Sequence, residues 1–189
     1  TTLSFSDDNM IIETSTLDLF ETLANSSVNE APASAAGDHP SDHAEIGKEV
    51  FYGNEKTNQR KTVRFVAEDV HDFAWSASPH FHRIESVYSD PNVSSVAVKL
   101  YLQPEHEALA DRYLRAAISS IKHYSEWFGS YPYSTLSVVV PPAGASGAGG
   151  MEYPTLVTAW AADKKDPGYE LEQVILHEIA HQYFYGLVA

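Results

Sequence analysis

Five consecutive residues near the end of the chain have the types and the spacing of a metal site: His177, Glu178, Ile179, Ala180 and His181. On a helix, residues four apart lie on one face with their β-carbons about 5 to 6 Å apart, so both imidazoles can bind one cation. Two neutral imidazoles suit zinc, and the adjacent carboxylate lies near the metal without being in line with the histidines. The spacing therefore predicts His177 and His181 as zinc ligands and Glu178 as a catalytic base.

Two histidines do not complete a catalytic zinc site, which normally has three protein ligands and one open position. Between His181 and Ala189 the sequence has no further Asp, Glu or His. The third ligand is expected from an upstream residue, from a second chain or from sequence beyond this chain, and we favour the last. The alternative interpretation is a buried helix whose histidines form hydrogen bonds with neighbouring carbonyl groups.

A glycine-rich segment, Gly147-Ala148-Gly149-Gly150-Met151-Glu152-Tyr153-Pro154, is the second candidate. Glycines let the backbone approach a ligand closely, and the single carboxylate of Glu152 could face a cationic group on a substrate. A glycine hinge followed by an edge strand is the alternative. The segment lacks the Gly-Lys-Ser/Thr of a phosphate loop and the strand-turn-helix context of a dinucleotide turn.

The elements that must position these residues follow from hydrophobic periodicity. Alternating apolar residues predict strands in 62–66 and 94–101, and 71–77 is expected to belong to the same sheet. Apolar residues three and four apart predict helices, with glycine after each end. The remaining expectations are a loop over 29–47, a helix from about 104 to 128, a strand over 135–140, an extended run over 155–160 and a helix from about 170 to 185. Strands followed by helices predict an α+β fold.

Composition excludes several classes of function. The chain has 189 residues, 43% of them hydrophobic, which is enough to bury a sizeable core. A formal net charge of -14 disfavours nucleic acid and anionic membrane surfaces as partners. No apolar run is long enough for a membrane span, and the absence of cysteine excludes disulfides and thiolate ligands. The acidic composition and the lack of cysteine favour a periplasmic or extracellular location over the cytoplasm, and the oligomeric state cannot be read from the sequence.

Other histidines were weighed as ligands. His39 and His43 are four apart, but Pro40 and the loop composition argue against a helix between them. His80 and His82 would share one face of a strand, and the polar face of a sheet explains them. Asp69, His71 and Asp72 could imitate part of a catalytic triad, but no Gly-x-Ser-x-Gly turn supplies a nucleophile.

The two motifs together resemble a known family. Gly149-Gly150-Met151-Glu152-Tyr153 followed by His177-Glu178-Ile179-Ala180-His181 is similar to the zinc aminopeptidases of the aminopeptidase N and leukotriene hydrolase type, which are gluzincin metallopeptidases. The similarity extends through 127–133 and, less specifically, to 65–75. It ends just after the His-Glu-x-x-His helix.

The resemblance implies a fold, an activity and a set of site residues. Residues 1–97 would be part of a β-rich N-terminal domain, and 98–189 would be the first part of a thermolysin-like catalytic domain. The substrate would be a peptide with a free N-terminus, cleaved after its first residue. Glu152 would hold the free α-amine, and the backbone of Gly149, Gly150 and Met151 would line the bound peptide as an edge strand does.

The sequence also departs from the family. Tyr153 stands where many members have Asn. The family's third zinc ligand, a Glu beyond the second His, and the tyrosine that stabilises the oxyanion are both absent. The chain by itself is therefore expected to have no appreciable peptidase turnover. A zinc endopeptidase, or a non-catalytic peptide-binding scaffold that retains the motif, are the alternatives.

Overall fold

The computed structural model describes the backbone of four short strands near the N-terminus and then most of the chain from residue 72 onward. The described residues are 2–5, 11–14, 49–51, 61–64, 72–91, 93–145, 147 and 149–188. The strands are β1 (Thr2–Phe5), β2 (Ile11–Thr14), β3 (Glu49–Phe51), β4 (Lys61–Arg64), β5 (Trp75–Ser78), β6 (His82–Asp90), β7 (Val93–Leu102), β8 (Thr135–Val139) and β9 (Leu156–Thr158). The helices are α1 (Ala110–Phe128) and α2 (Glu170–Ala180), and a 3₁₀ helix, Pro104–Leu109, precedes α1.

A mixed sheet of five strands, in the order β3-β6-β7-β8-β9, forms the centre of the fold. The pairs β3–β6 and β6–β7 are antiparallel, whereas β7–β8 and β8–β9 are parallel. Leu100 of β7 lies opposite Ile84 of β6 and opposite Val138 of β8. Parallel neighbours need a crossover, and α1 provides it between β7 and β8. Helices on a mixed sheet confirm the predicted α+β fold.

The core lies between this sheet and the two helices. Because side chains alternate along a strand, Leu100 and Val138 face the helices and are almost completely buried there. They belong to one apolar cluster with Ile121 of α1 and with Ile175 and Ile179 of α2. Alternate residues form a second, smaller cluster: Phe81, Tyr101, Val139 and Leu156, with Tyr153 packed against it.

Three expectations about the elements were wrong. The helix predicted from about residue 104 begins as a 3₁₀ helix, with the amide of His106 bonded to the carbonyl of Gln103, and becomes α-helical at Ala110. The segment 71–77 does not join the large sheet, because β5 pairs with β2, just as β4 pairs with β1. The last helix ends at Ala180 rather than near residue 185.

Two predictions about domain organisation remain predictions. The expected loop over 29–47 lies outside the described residues. The expected boundary between 1–97 and 98–189 falls inside β7, a strand that is paired continuously with β6 and β8. Among the described residues, no helix is both long and apolar enough to cross a membrane.

Candidate metal centre

Helix α2 holds the His-Glu-x-x-His motif in place. Leu171, Ile175 and Ile179 recur on one face of α2 and are fully buried, so the helix has a fixed rotation against the core. The first turn of α2 contains two acidic residues, Glu170 and Glu172, and their negative charges interact favourably with the positive end of the helix dipole. With the rotation fixed, the neighbouring face carries the two imidazoles.

The two imidazoles converge at their Nε2 atoms. The Nε2 atoms of His177 and His181 are 3.2 Å apart, and the ring planes are nearly perpendicular at 89°. Two nitrogen ligands of a tetrahedral zinc ion, each about 2.0 to 2.1 Å from it, lie roughly 3.3 Å apart. The separation of the two nitrogens is therefore that of two ligands of one zinc ion.

The tautomer of His181 also suits a metal ligand. Its Nδ1 atom lies 3.1 Å from the carbonyl oxygen of Phe184. A carbonyl oxygen only accepts, so Nδ1 carries the hydrogen and the Nε2 of the neutral ring keeps its lone pair. Metal-binding histidines commonly use the second ring nitrogen in this way, because the bond fixes the ring orientation.

Glu178 is buried beside the histidines. It is 5% exposed, and its carboxylate and the two imidazoles place their ligand atoms within 4.8 Å of one another. Burial raises the pKa of Glu178, and the negative charge of Glu152 raises it further, whereas His177 and His181 lower it. A carboxylate in these surroundings is a stronger proton acceptor than an exposed one.

The glycine-rich segment passes directly over Glu178. A β-carbon added at Gly150 would overlap that side chain, with the Cδ atom of Glu178 only 2.5 Å away. Gly149 has a φ of 71°, a conformation that glycine adopts without strain. The absence of a side chain at Gly150 therefore lets the segment pack directly against the buried carboxylate, whereas glycine at 149 suits the backbone conformation.

The segment continues as an added edge to the large sheet. Met151 forms an antiparallel bridge with Thr158 of β9, and its carbonyl accepts a hydrogen bond of 3.0 Å from the Thr158 amide. Glu152, the next residue, is half-buried and close enough to Glu178 to shift its pKa. The structure thus brings Gly149, Gly150, Met151 and Glu152 next to the group of His177, Glu178 and His181.

Sequence reasoning missed Gln182, which follows the second histidine directly. Its side chain is 1% exposed, and its amide is bonded to the backbone of the segment that contains Glu152. Its position next to the motif was the available signal. The bonding partners, however, are distant in sequence and could not be read from it.

None of the other candidate residues that the structure describes joins this centre. His80 lies in a turn, and Nδ1 of His82 on β6 is 3.7 Å from Oε2 of Glu107. The carboxylate of Asp72 accepts the Phe73 amide at 2.7 Å, and His39, His43, Asp69 and His71 lie outside the described residues. Within the described part of the chain, the group of His177, Glu178 and His181 at the end of α2 is the one set of three His, Asp or Glu side chains that could hold a metal ion.

Comparison with known proteins gives one distant relationship. No protein-family model matches the chain. The chain is 31% identical over 102 residues to aminopeptidase 2 of the yeast Candida albicans, and the match covers 49% of the chain. It spans only 11% of that relative's length. This similarity hints at a peptidase function.

Proposed function

We propose that the chain carries part of the active site of a zinc-dependent aminopeptidase. The observation that carries the proposal is the convergence of the His177 and His181 Nε2 atoms, 3.2 Å apart, beside a buried carboxylate. The similarity to an aminopeptidase of Candida albicans also supports it. His177 and His181 would hold the metal, which when bound would polarise the substrate carbonyl and make a nearby water molecule more acidic.

Glu178 performs the proton transfer in this proposal. Its carboxylate accepts a proton from the attacking water, whose oxygen forms the bond to the carbonyl carbon. As the carbon–nitrogen bond breaks, the same carboxyl group returns the proton to the departing amine nitrogen. Burial suits both steps, because it favours the protonated form of Glu178 more than bulk water does.

Glu152 sets the position of the cut. Its carboxylate lies on the extended segment beside His177, Glu178 and His181, and it can pair with the free ammonium of a peptide. An internal amide or an acetylated terminus offers no positive charge, so it leaves the carboxylate unpaired. The substrate class is therefore peptides with a free N-terminus, bound along the Gly149–Met151 backbone.

The proposal is tested by replacing Glu178 in the natural full-length protein. We expect Glu178→Gln to retain zinc, measured by elemental analysis, and to lower kcat on leucine p-nitroanilide by about 10²- to 10⁴-fold. Glu170→Gln, an exposed position on the same helix, is the matched control and should leave both values unchanged. Normal turnover by Glu178→Gln, or a wild-type protein without zinc, would contradict the proposal.

Two further comparisons separate the alternatives. Equal cleavage of free and N-acetylated peptides would favour an endopeptidase, and a stable protein with neither zinc nor turnover would favour a peptide-binding scaffold. We also expect no appreciable turnover from the 189-residue chain alone, because His177 and His181 are only two of the three ligands that a catalytic zinc normally has.

A further inference from the structure

One buried side chain connects the metal-binding helix to the segment that bears Glu152. The side-chain oxygen of Gln182 accepts the amide of Thr155 at 2.9 Å. Its side-chain nitrogen donates to the carbonyl oxygens of Glu152 at 3.1 Å and of Tyr153 at 3.2 Å. A primary amide has two N–H donors, so both are used, and all three bonds go to one short stretch of backbone.

The backbone at Thr155 needs such support. Thr155 is buried and has a φ of 64°, a left-handed conformation that β-branched residues rarely adopt. Strained residues of this kind persist only where their surroundings hold them in place. The Thr155 carbonyl accepts the Ser137 amide at 2.7 Å, and Gln182 provides the partner for its amide.

This turn is one of two attachments that place Glu152. It connects the extended Met151–Tyr153 segment to β9, and the Met151–Thr158 bridge attaches the other end of that segment to the same strand, so Glu152 lies between the two. Gln182 directly follows His181, so its amide joins the metal-binding end of α2 to the backbone of Glu152 itself.

We infer that Gln182 is a positioning residue that fixes the distance between the Glu152 carboxylate and the imidazoles of His177 and His181. This inference rests on the proposed function, in which that distance decides which peptide bond reaches the metal. Gln182 contacts neither imidazole through its three side-chain bonds, so its effect is on the free-amine preference and not on metal binding.

The first experiment measures that preference in the natural full-length protein. We expect Gln182→Met, which removes all three bonds, to lower the ratio of kcat/KM for leucine p-nitroanilide over its N-acetyl derivative by about 10- to 100-fold. Zinc content should not change. Gln173→Met, an exposed glutamine on the same helix, is the matched control and should keep the wild-type ratio.

The second experiment needs neither metal nor turnover. In the 189-residue chain, we expect Gln182→Met to accelerate hydrogen exchange of the Thr155 amide at least about tenfold, while Gln173→Met does not. Should Gln182→Met fail to fold, Gln182→Glu is the second variant. The glutamate keeps an oxygen that accepts the Thr155 amide, but it places a carboxylate, which cannot donate, against the carbonyl oxygens of Glu152 and Tyr153. The preference for the free-amine substrate should therefore fall, while the Thr155 amide stays protected from exchange.

The outcomes separate the two proposals. If the wild-type protein strongly prefers the free amine and the Gln182 variants keep the same ratio, even with lower rates on both substrates, the positioning role is wrong and the proposed function stands. If the wild-type protein has no such preference, the proposed role of Glu152 is wrong, and the inference about Gln182 is wrong with it.

Discussion

At the level of single residues, the tightest steric constraint in the site is the close packing of the Gly150 backbone against the Glu178 side chain. A methyl group at residue 150 would lie within 2.5 Å of both the Cγ and Cδ atoms of Glu178. At that distance the Glu178 side chain must shift, so the displacement falls on the group that is proposed to transfer the proton.

We therefore expect Gly150→Ala to impair activity more than stability. Turnover of leucine p-nitroanilide should fall about 10- to 100-fold, because a displaced base is misaligned. The free energy of unfolding in urea should fall by only about 1 kcal/mol. Gly147→Ala is the control, since nothing lies within 4 Å of an added β-carbon there. Equal turnover by the two variants would show that the Glu178 side chain can accommodate the added methyl group without losing its alignment.

At the level of elements, α1 and α2 are joined by a bidentate ion pair. The Nε atom of Arg112 on α1 donates to Oε1 of Glu172 on α2 at 2.7 Å, and a second guanidinium nitrogen donates to Oε2 at 2.7 Å. The same guanidinium donates to the carbonyl of Gly168 at 2.8 Å, just before α2 begins. The pair thus fixes the start of the helix whose far end carries the histidines.

The pair should make stability depend on pH in one direction. The hydrogen bond from Arg112 lowers the pKa of Glu172 below its ordinary value. A group with a lowered pKa stabilises the fold above its unfolded pKa of about 4.3, and the effect disappears as the pH falls through the folded value. Because both side chains are about one-third exposed, solvent screening limits the gain to about 1 kcal/mol or less.

The measurement is urea unfolding of the wild type and Glu172→Gln at several pH values. We expect the variant to be less stable at pH 7 and the difference to close as the pH falls below the folded pKa of Glu172, where the carboxyl group is protonated in both states. Gln173→Ala, an exposed and uncharged position on the same helix, is the control and should change the stability equally at every pH. If the wild type and Glu172→Gln still differ in stability at low pH, packing of the Glu172 side chain, and not its charge, explains the difference.

At the level of the whole molecule, a few buried polar side-chain atoms in the described residues have no hydrogen-bond partner, and His106 contains two of them. His106, in the 3₁₀ helix before α1, is 2% exposed, and neither ring nitrogen has a hydrogen-bond partner in the described structure. A buried polar group without partners costs about 1 to 3 kcal/mol, whereas an apolar side chain of similar size avoids that penalty.

We expect His106→Leu to raise the free energy of unfolding by about 1 kcal/mol at pH 7, measured by urea denaturation. Ser120→Ala is the comparison, because the Ser120 hydroxyl is also buried but donates to the Ala116 carbonyl at 2.7 Å. That change should be neutral or destabilising. A destabilised His106→Leu would indicate that the imidazole has a partner in solution.

Metal binding should also stabilise the molecule as a whole. In the proposed site, zinc would bind the folded arrangement of His177 and His181 more tightly than the unfolded chain, so zinc at 100 times its dissociation constant should add about 2.7 kcal/mol. We expect thermal denaturation of His181→Ala to lose this increment, while His123→Ala, an exposed histidine on α1, keeps it. If zinc still raises the stability of His181→Ala by this amount, zinc binds at another site.

The sequence by itself determined the local features of this protein. The four-residue spacing of His177 and His181 places both on one side of any helix, and the periodicity around them predicted that helix from its first residue. Alternation in 94–101 predicted β7, and the short run 135–140 predicted β8, since each pattern is a property of one continuous segment.

Tertiary structure decided how these segments meet. The contact of Gly150 with Glu178 and the bonds from Gln182 to Glu152 join residues far apart in sequence, and no periodicity encodes them. Tertiary packing also determines that α2 ends at Ala180. Beyond that residue the backbone forms turns and Tyr183 is buried in the core. The Nδ1 atom of the His181 ring forms a hydrogen bond with the Phe184 carbonyl. Local patterns specify which face a side chain occupies, whereas its neighbours depend on the packing of whole elements, and that packing is settled only when the core forms.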